Sequence, residues 1–132
     1  MASNFEDLEV WKQGRDLRKE ISVISKKFPI EEKYKLTDQI IRASRSVTAN
    51  IAEGHGRFHY QENTQFCRHS RGSLSEVLDH LICAFDENYI TENELKLFRI
   101  KVETCMKLLN GYISYLQKQK NNTNQSPNEL VN

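Results

Sequence analysis

The chain has 132 residues, of which 38% are hydrophobic and 28% charged, with a formal net charge of +1. That length suits one domain around one continuous core, and so small a net charge by itself says little about partners. Five Gly and two Pro are too little punctuation for a turn-rich β architecture. No run reaches the about 18 apolar residues that a membrane-spanning helix needs. The acidic start, with Glu6, Asp7 and Glu9, lacks the basic and apolar regions of a secretory signal. A soluble cytoplasmic protein is expected. Cys67, Cys83 and Cys105 are odd in number and widely spaced, with no C-x-x-C pair. They suit neither a disulfide framework nor a zinc site, and read as reduced, mostly buried thiols.

Four segments carry helical periodicity. The first spans about Glu6 to Lys27, with the stripe Val10, Gly14, Leu17, Ile21, Ile24 and Phe28, widened by Leu8 and Trp11. Steps of three and four keep those side chains on one face, and Pro29 ends the run. The second spans about Glu32 to Glu53, with Leu36, Ile40, Ala43, Val47, Ile51 and Gly54. Small residues near that face, Ala43, Ser44 and Ala49, admit a close neighbour, and Gly54 and Gly56 are expected to terminate the helix. The third spans about Glu62 to Asn88. Leu74, Leu78, Leu81 and Phe85 form one stripe, and Phe66, Ser73, Val77 and Ala84 a second beside it. So wide a face predicts two neighbouring helices or another subunit. The fourth spans about Glu92 to Gln119 and carries the seam Leu95, Phe98, Val102, Cys105, Leu109, Tyr112 and Leu116. Thr91 and Glu94 have capping-box spacing, with Ile90 and Leu95 at the staple positions. From Lys120 onward the polar composition predicts a disordered tail. Short connections favour antiparallel neighbours, so the expected fold is an all-α, antiparallel up-down-up-down four-helix bundle over residues 1–119.

Charge is unevenly placed. Residues 42–71 hold five basic side chains, Arg42, Arg45, Arg57, Arg68 and Arg71, against two acidic ones, together with His55, His59 and His69. Arginine presents a planar fork that matches phosphate oxygens. Phe58, Tyr60 and Phe66 interleave with these cations, and exposed aromatics stack on unpaired bases. An ordinary solvated or interface surface has the same composition. On the second helix Gln39, Arg42, Ser46, Asn50, Glu53 and Arg57 form a polar stripe beside the apolar one. It reads as a hydrogen-bonded network between helices or subunits, with Glu53 or Glu76 pairing an arginine; a ligand groove or direct nucleic-acid contact are the alternatives. His55 and His59 do not make a metal site across the glycine turn, and no Glu-x-x-His pair suits a di-iron centre. Phosphate-loop, nucleophile-elbow and zincin motifs are all missing from the sequence. Neither catalytic residues nor a cofactor are expected.

Several spaced motifs carry a family resemblance. The Asn-Ile-Ala-Glu-Gly segment at 50–54 is followed by Gly56-Arg57, then by Gly72-Ser73 with Glu76, and preceded by Phe5, Leu8 and Trp11. Over about residues 5–117 the chain resembles the four-helix bundle proteins encoded within intervening sequences of bacterial 23S rRNA genes. That resemblance implies a ring-like homopentamer of bundles without established enzymatic activity. It also implies a likeness in fold to the accessory variability protein of diversity-generating retroelements, which binds nucleic acid and a reverse transcriptase. Gly14 stands where an Ala is expected, and His59 near an expected Ser or Thr cap. Two functions follow as expectations. The first is a non-enzymatic oligomer binding RNA or other nucleic acid through Arg42, Arg45, Arg57, Arg68 and Arg71, with Arg45 pointing furthest from its apolar stripe. The second is a scaffold for an unidentified protein partner, using the wide face of the third helix around Leu78 and Phe85.

Overall fold

The computed structural model describes residues 4–125. It contains four α-helices: α1 (Glu9–Ile24), α2 (Leu36–His55), α3 (Tyr60–Asp86) and α4 (Glu92–Gln125). Among the described residues α1 packs on α2, α2 on α3, α3 on α4, and α4 back on α1, which closes the bundle. Contacts place the neighbours antiparallel. Lys27 and Glu20 of α1 and its exit pair with Glu94 and Lys101 of α4. Val47 and Ser46 of α2 meet Ser70 and Ser73 of α3. No described helix is long and apolar enough to cross a membrane.

The apolar stripes fill the space between the helices. Leu17, Ile21, Ile40, Ile51, Leu74, Leu81 and Leu109 are wholly or almost wholly buried, each such side chain stabilising the fold by about 1.5–3 kcal/mol. On α3 the two stripes are used by two neighbours. Leu74, Val77, Leu81 and Ala84 are sealed, while Leu78 and Phe85 are half-buried against the same core. Most of the wide face is therefore spent inside the bundle.

Helix ends follow local chemistry more closely than periodicity. α1 is shorter than its stripe, because Phe5–Asp7 and Ser25–Lys27 tighten into 3-10 turns. Phe28, before Pro29, is extended, as a residue preceding proline prefers. α2 starts at Leu36 and not near Glu32: Lys35 leaves helical geometry, and Ile30–Glu32 form a separate 3-10 turn. The Glu32 carboxylate instead accepts the Leu36 N–H at 3.4 Å and the Tyr89 O–H at 2.9 Å. α3 ends in a Schellman arrangement around Asn88, at φ 64°, with the Tyr89 N–H on the Ala84 carbonyl and the Asn88 N–H on that of Phe85. α4 opens with both reciprocal bonds of the capping box, Glu94 N–H to Thr91 Oγ1 at 3.1 Å and Thr91 N–H to Glu94 Oε1 at 2.8 Å. It then continues to Gln125, so the polar stretch from Lys120 is helical as far as it is described. The rest of the expected tail, 126–132, lies outside the described residues.

α2 ends at the glycines as expected, but not by the left-handed route. Gly54 lies inside α2, and Gly56 caps it at φ −77°, so neither supplies a left-handed terminator. What Gly54 supplies is proximity. A Cβ there would meet Asn63 Oδ1 at 2.6 Å and Phe66 Cβ at 2.9 Å, both on α3. Gly14 does the same for α1 and α2, its missing Cβ facing Thr48 and Val47.

Candidate functional site

The close approach of α2 and α3 is what builds the polar flank of the molecule. Ser70, wholly buried, donates to the Val47 carbonyl at 2.7 Å. One turn outward, Ser73 Oγ donates to Ser46 Oγ at 2.9 Å. Asn50 Nδ2 donates to the Ser46 carbonyl at 2.8 Å and to its hydroxyl at 2.9 Å. The expected stripe on α2 is thus partly a hydrogen-bonded network between two helices. Glu53 pairs with Arg57 at 2.8 Å, whereas Glu76 pairs with His80 of its own helix and not with an arginine. Beside the network runs an open groove of about 540 Å³ lined by Asp38, Gln39, Arg42, Ser46, Ser73 and Glu76. Its charged walls carry both signs.

The five arginines do not converge on one patch. Arg42 is exposed and pairs with Asp38 at 3.4 Å, one helical turn earlier. Arg45 is exposed on the outer side of α2, and Arg68 on α3; among the described residues neither makes an ion pair. Arg71 is half-buried and donates to Asn110 Oδ1 of α4 at 2.9 Å, so it faces the α3–α4 side. Arg57 sits at the turn from α2 to α3. Its guanidinium bonds Glu53, lies 3.9 Å from Glu62, and covers the Phe66 ring at 4.9 Å.

Around Arg57 the end of the bundle opens into a crevice of about 490 Å³. Its walls come from four places: Leu8 before α1, His55 to Tyr60 across the turn, Asn63 of α3, and Tyr112, Tyr115 and Leu116 of α4. The turn holds its aromatics outward because helix geometry stops at Gly56 and resumes at Tyr60, leaving Phe58 92% exposed. Tyr112 and Tyr115 stack with centroids 6.2 Å apart and planes 15° from parallel. The buried Asn63 forms the polar floor and donates to the Tyr112 hydroxyl at 3.1 Å. The hydroxyl proton of Tyr112 has no acceptor among the described residues. Desolvation pushes the Tyr112 phenol above its ordinary range, so that proton stays on at neutral pH. Nor does a side chain cap α3 here: His59 stands at the N-cap and accepts only through its backbone carbonyl.

Sequence reasoning found half of this crevice. Phe58, Tyr60, His55, His59 and Arg57 lie in one segment. Tyr112 read as core, and Tyr115 fell outside the seam. The available signal was a tyrosine in a heptad seam, which needs a partner for its hydroxyl, followed by a second tyrosine three residues on.

The thiols contribute no reactive group to this site. Burial pushes Cys67 up to about 12 and Cys105 up to about 11. Cys83 is the exposed one of the three, in keeping with thiols that are mostly buried, and is also raised, by partial desolvation and then by Glu87 and other carboxylates around it. Among the described residues no group of three His, Cys, Asp or Glu is placed to hold a metal ion.

A model of the 23S rRNA-intervening sequence protein family matches residues 6–111. The chain belongs to that family. The match reaches from the turn before α1 to the residue before Tyr112, so the α4 wall of the crevice lies just beyond it. A solved structure from Bacteroides thetaiotaomicron VPI-5482, described as a protein with unknown function from the S23 ribosomal protein family, superposes with a TM-score of 0.73. It is 21% identical and covers 79% of this chain and 97% of its own. At that identity the likeness is one of fold. No curated protein matches the chain.

Proposed function

We propose that this intervening-sequence family member is a non-enzymatic, cytoplasmic, homo-oligomeric bundle that binds RNA or other nucleic acid through the arginines of the α2–α3 half. The observation that carries this reading is the state of Arg45 and Arg68. Both guanidinium groups are exposed and, among the described residues, uncommitted to any carboxylate, so both are free to take phosphate oxygens. Arg42, Arg57 and Arg71 add partial contacts, since each is held by a neighbour that uses only some of its five donors. In a homopentamer the set recurs five times, and modest local charge sums to a large field. The buried thiols, raised by desolvation, offer no ready thiolate nucleophile.

The test is fluorescence anisotropy with a structured RNA and a duplex DNA across a salt series, for the native chain and an Arg45→Ala, Arg68→Ala double variant. Loss of two phosphate contacts flattens the slope of log K against log salt by about 1.8 on duplex. Absence of binding at low salt refutes the reading. Light scattering behind size exclusion tests the assembly, and a particle of 15.5 kDa refutes it.

A second reading has its own observation. Val23 of α1 and Leu97 and Ile100 of α4 are 60–66% exposed, on the two helices joined by the Lys27–Glu94 and Glu20–Lys101 pairs. A scaffold for a protein partner would use this α1–α4 face in addition to the partly buried Leu78 and Phe85 of α3. Its binding would tolerate salt and weaken in Leu97→Ser.

A further inference from the structure

We propose that the crevice at the α2–α3 turn seats one unpaired nucleotide of a single strand, its base stacked on Phe58 and on the Tyr112–Tyr115 pair and its phosphate on Arg57. This rests on the nucleic-acid reading above and narrows it from phosphate contact to recognition of an unpaired base.

Three properties of the crevice point to that occupant. Its size, about 490 Å³, falls within the about 300–1,000 Å³ typical of small-molecule sites. Its walls are flat and aromatic: Phe58 is 92% exposed, Tyr60 and Tyr115 are 40% and 44% exposed, and the tyrosine pair already lies in a stacked array. Exposed rings beside cations are how proteins hold bases whose faces are free. In a duplex those faces are occupied by neighbouring bases, so a paired strand offers these rings nothing to stack on.

The polar groups sort the candidates further. An apolar peptide side chain would use the rings but would leave the Tyr112 hydroxyl proton without an acceptor, since Asn63 is already engaged by that hydroxyl and by the Cys67 thiol. A base edge supplies such an acceptor. Arg57 stands at the rim, 43% exposed, with one donor on Glu53, Glu62 3.9 Å from another, and one face on Phe66. That clamp fixes the guanidinium plane while leaving other N–H groups for a phosphate oxygen. His55 and His59 line the same rim.

Anisotropy with a labelled single-stranded oligoribonucleotide and with the corresponding blunt RNA duplex tests the assignment, using native protein, Phe58→Ala, and the Arg45→Ala, Arg68→Ala variant. Phe58 buries almost none of its surface, so its removal leaves the bundle folded, which thermal melts by circular dichroism verify. The native chain prefers the single strand, and Phe58→Ala lowers single-strand affinity about tenfold while duplex affinity is unchanged. Equal binding of both RNAs, or a Phe58→Ala chain that binds the single strand as well as the native one, overturns the crevice assignment and leaves the phosphate reading standing. Failure to bind either RNA at low salt overturns both.

Discussion

Replacing Gly54 by alanine tests the central structural claim, that α2 and α3 pack closely enough to set the site. The new Cβ would lie 2.6 Å from Asn63 Oδ1, 2.9 Å from Phe66 Cβ and 3.0 Å from the Asn63 carbonyl oxygen. Carbon atoms rest at about 3.5–4.0 Å. Phe66 Cβ and the carbonyl move only with the α3 backbone, so the helices must part by roughly half an ångström. Such overpacking costs about 1–3 kcal/mol. Alanine returns up to about 1 kcal/mol in helix propensity, and less in the last turn of α2. Gly72 is the control. It lies within α3, and a Cβ there meets nothing within 4 Å, so Gly72→Ala stabilises by up to about 1 kcal/mol. The two variants should differ by about 2 kcal/mol in urea unfolding, or about 8 °C in Tm for a domain of this size. Gly14→Ala should fall between them, because its Cβ would face side-chain methyls of Thr48 and Val47 at 3.1 and 3.3 Å. If Gly54→Ala is as stable as Gly72→Ala, the close approach is wrong.

Glu94 is held below its ordinary value of 4.5 by the Lys27 ammonium, then by the Thr91 N–H. A depressed carboxyl stabilises above its unfolded value, and that stabilisation is lost as pH falls through the folded one. The gap in urea midpoint between native and Glu94→Gln chains should therefore shrink on acidification below about pH 4.5; a constant gap refutes the pairing. Tyr89 is pushed up to about 12, chiefly by its bond to Glu32. Its contribution is complete below the ordinary phenol value of 10.0 and disappears as pH rises through about 12. Tyr89→Phe should thus lower stability at neutral pH and lose that deficit in strong alkali, read by circular dichroism. Ser70→Ala removes the buried bond to the Val47 carbonyl and should cost about 1 kcal/mol, while Thr104→Ala, at an exposed hydroxyl bonded within α4, should change urea stability far less.

The helices were readable because their apolar residues recur at spacings that only a helix can bury together. The α4 seam and its capping box are local, and local patterns survive folding: Leu95, Phe98, Val102, Cys105, Leu109 and Leu116 are buried, and Thr91 and Glu94 bond reciprocally. The errors fall where an end depends on distant partners. α2 begins at Leu36, where the Glu32 carboxylate accepts the Leu36 N–H while also holding Tyr89, fifty-seven residues away. Gly54 read as a terminator because glycine near a helix end commonly is one. Its other use, admitting a neighbouring backbone, depends on Asn63 and Phe66, whose positions the local pattern does not contain.

The site was legible to the extent that it is contiguous. Residues 42–71 stood out by composition, yet composition does not assign directions. Once the segment folds back at Gly56, its arginines divide between flanks: Arg42 onto the mixed-sign groove, Arg71 toward α4, Arg57 into the turn. A cluster in sequence becomes a dispersed set in space, while residues far apart in sequence become a cluster. Phe58 and Tyr115 line one crevice because α4 returns antiparallel to α3 and ends its seam beside the α2–α3 turn. That convergence needs the turn to remain non-helical between Gly56 and Tyr60; a continuous helix through it would carry Phe58 away from α4. The same break that admits α3 against α2 therefore presents the aromatic wall, so packing at Gly54 and binding at Phe58 are coupled. Gly54→Ala should accordingly weaken single-strand RNA binding as well as stability, whereas Phe58→Ala should weaken binding alone. A Gly54→Ala chain that is less stable but binds with native affinity would separate the two and show that the crevice is set by the turn without help from the helix packing beneath it.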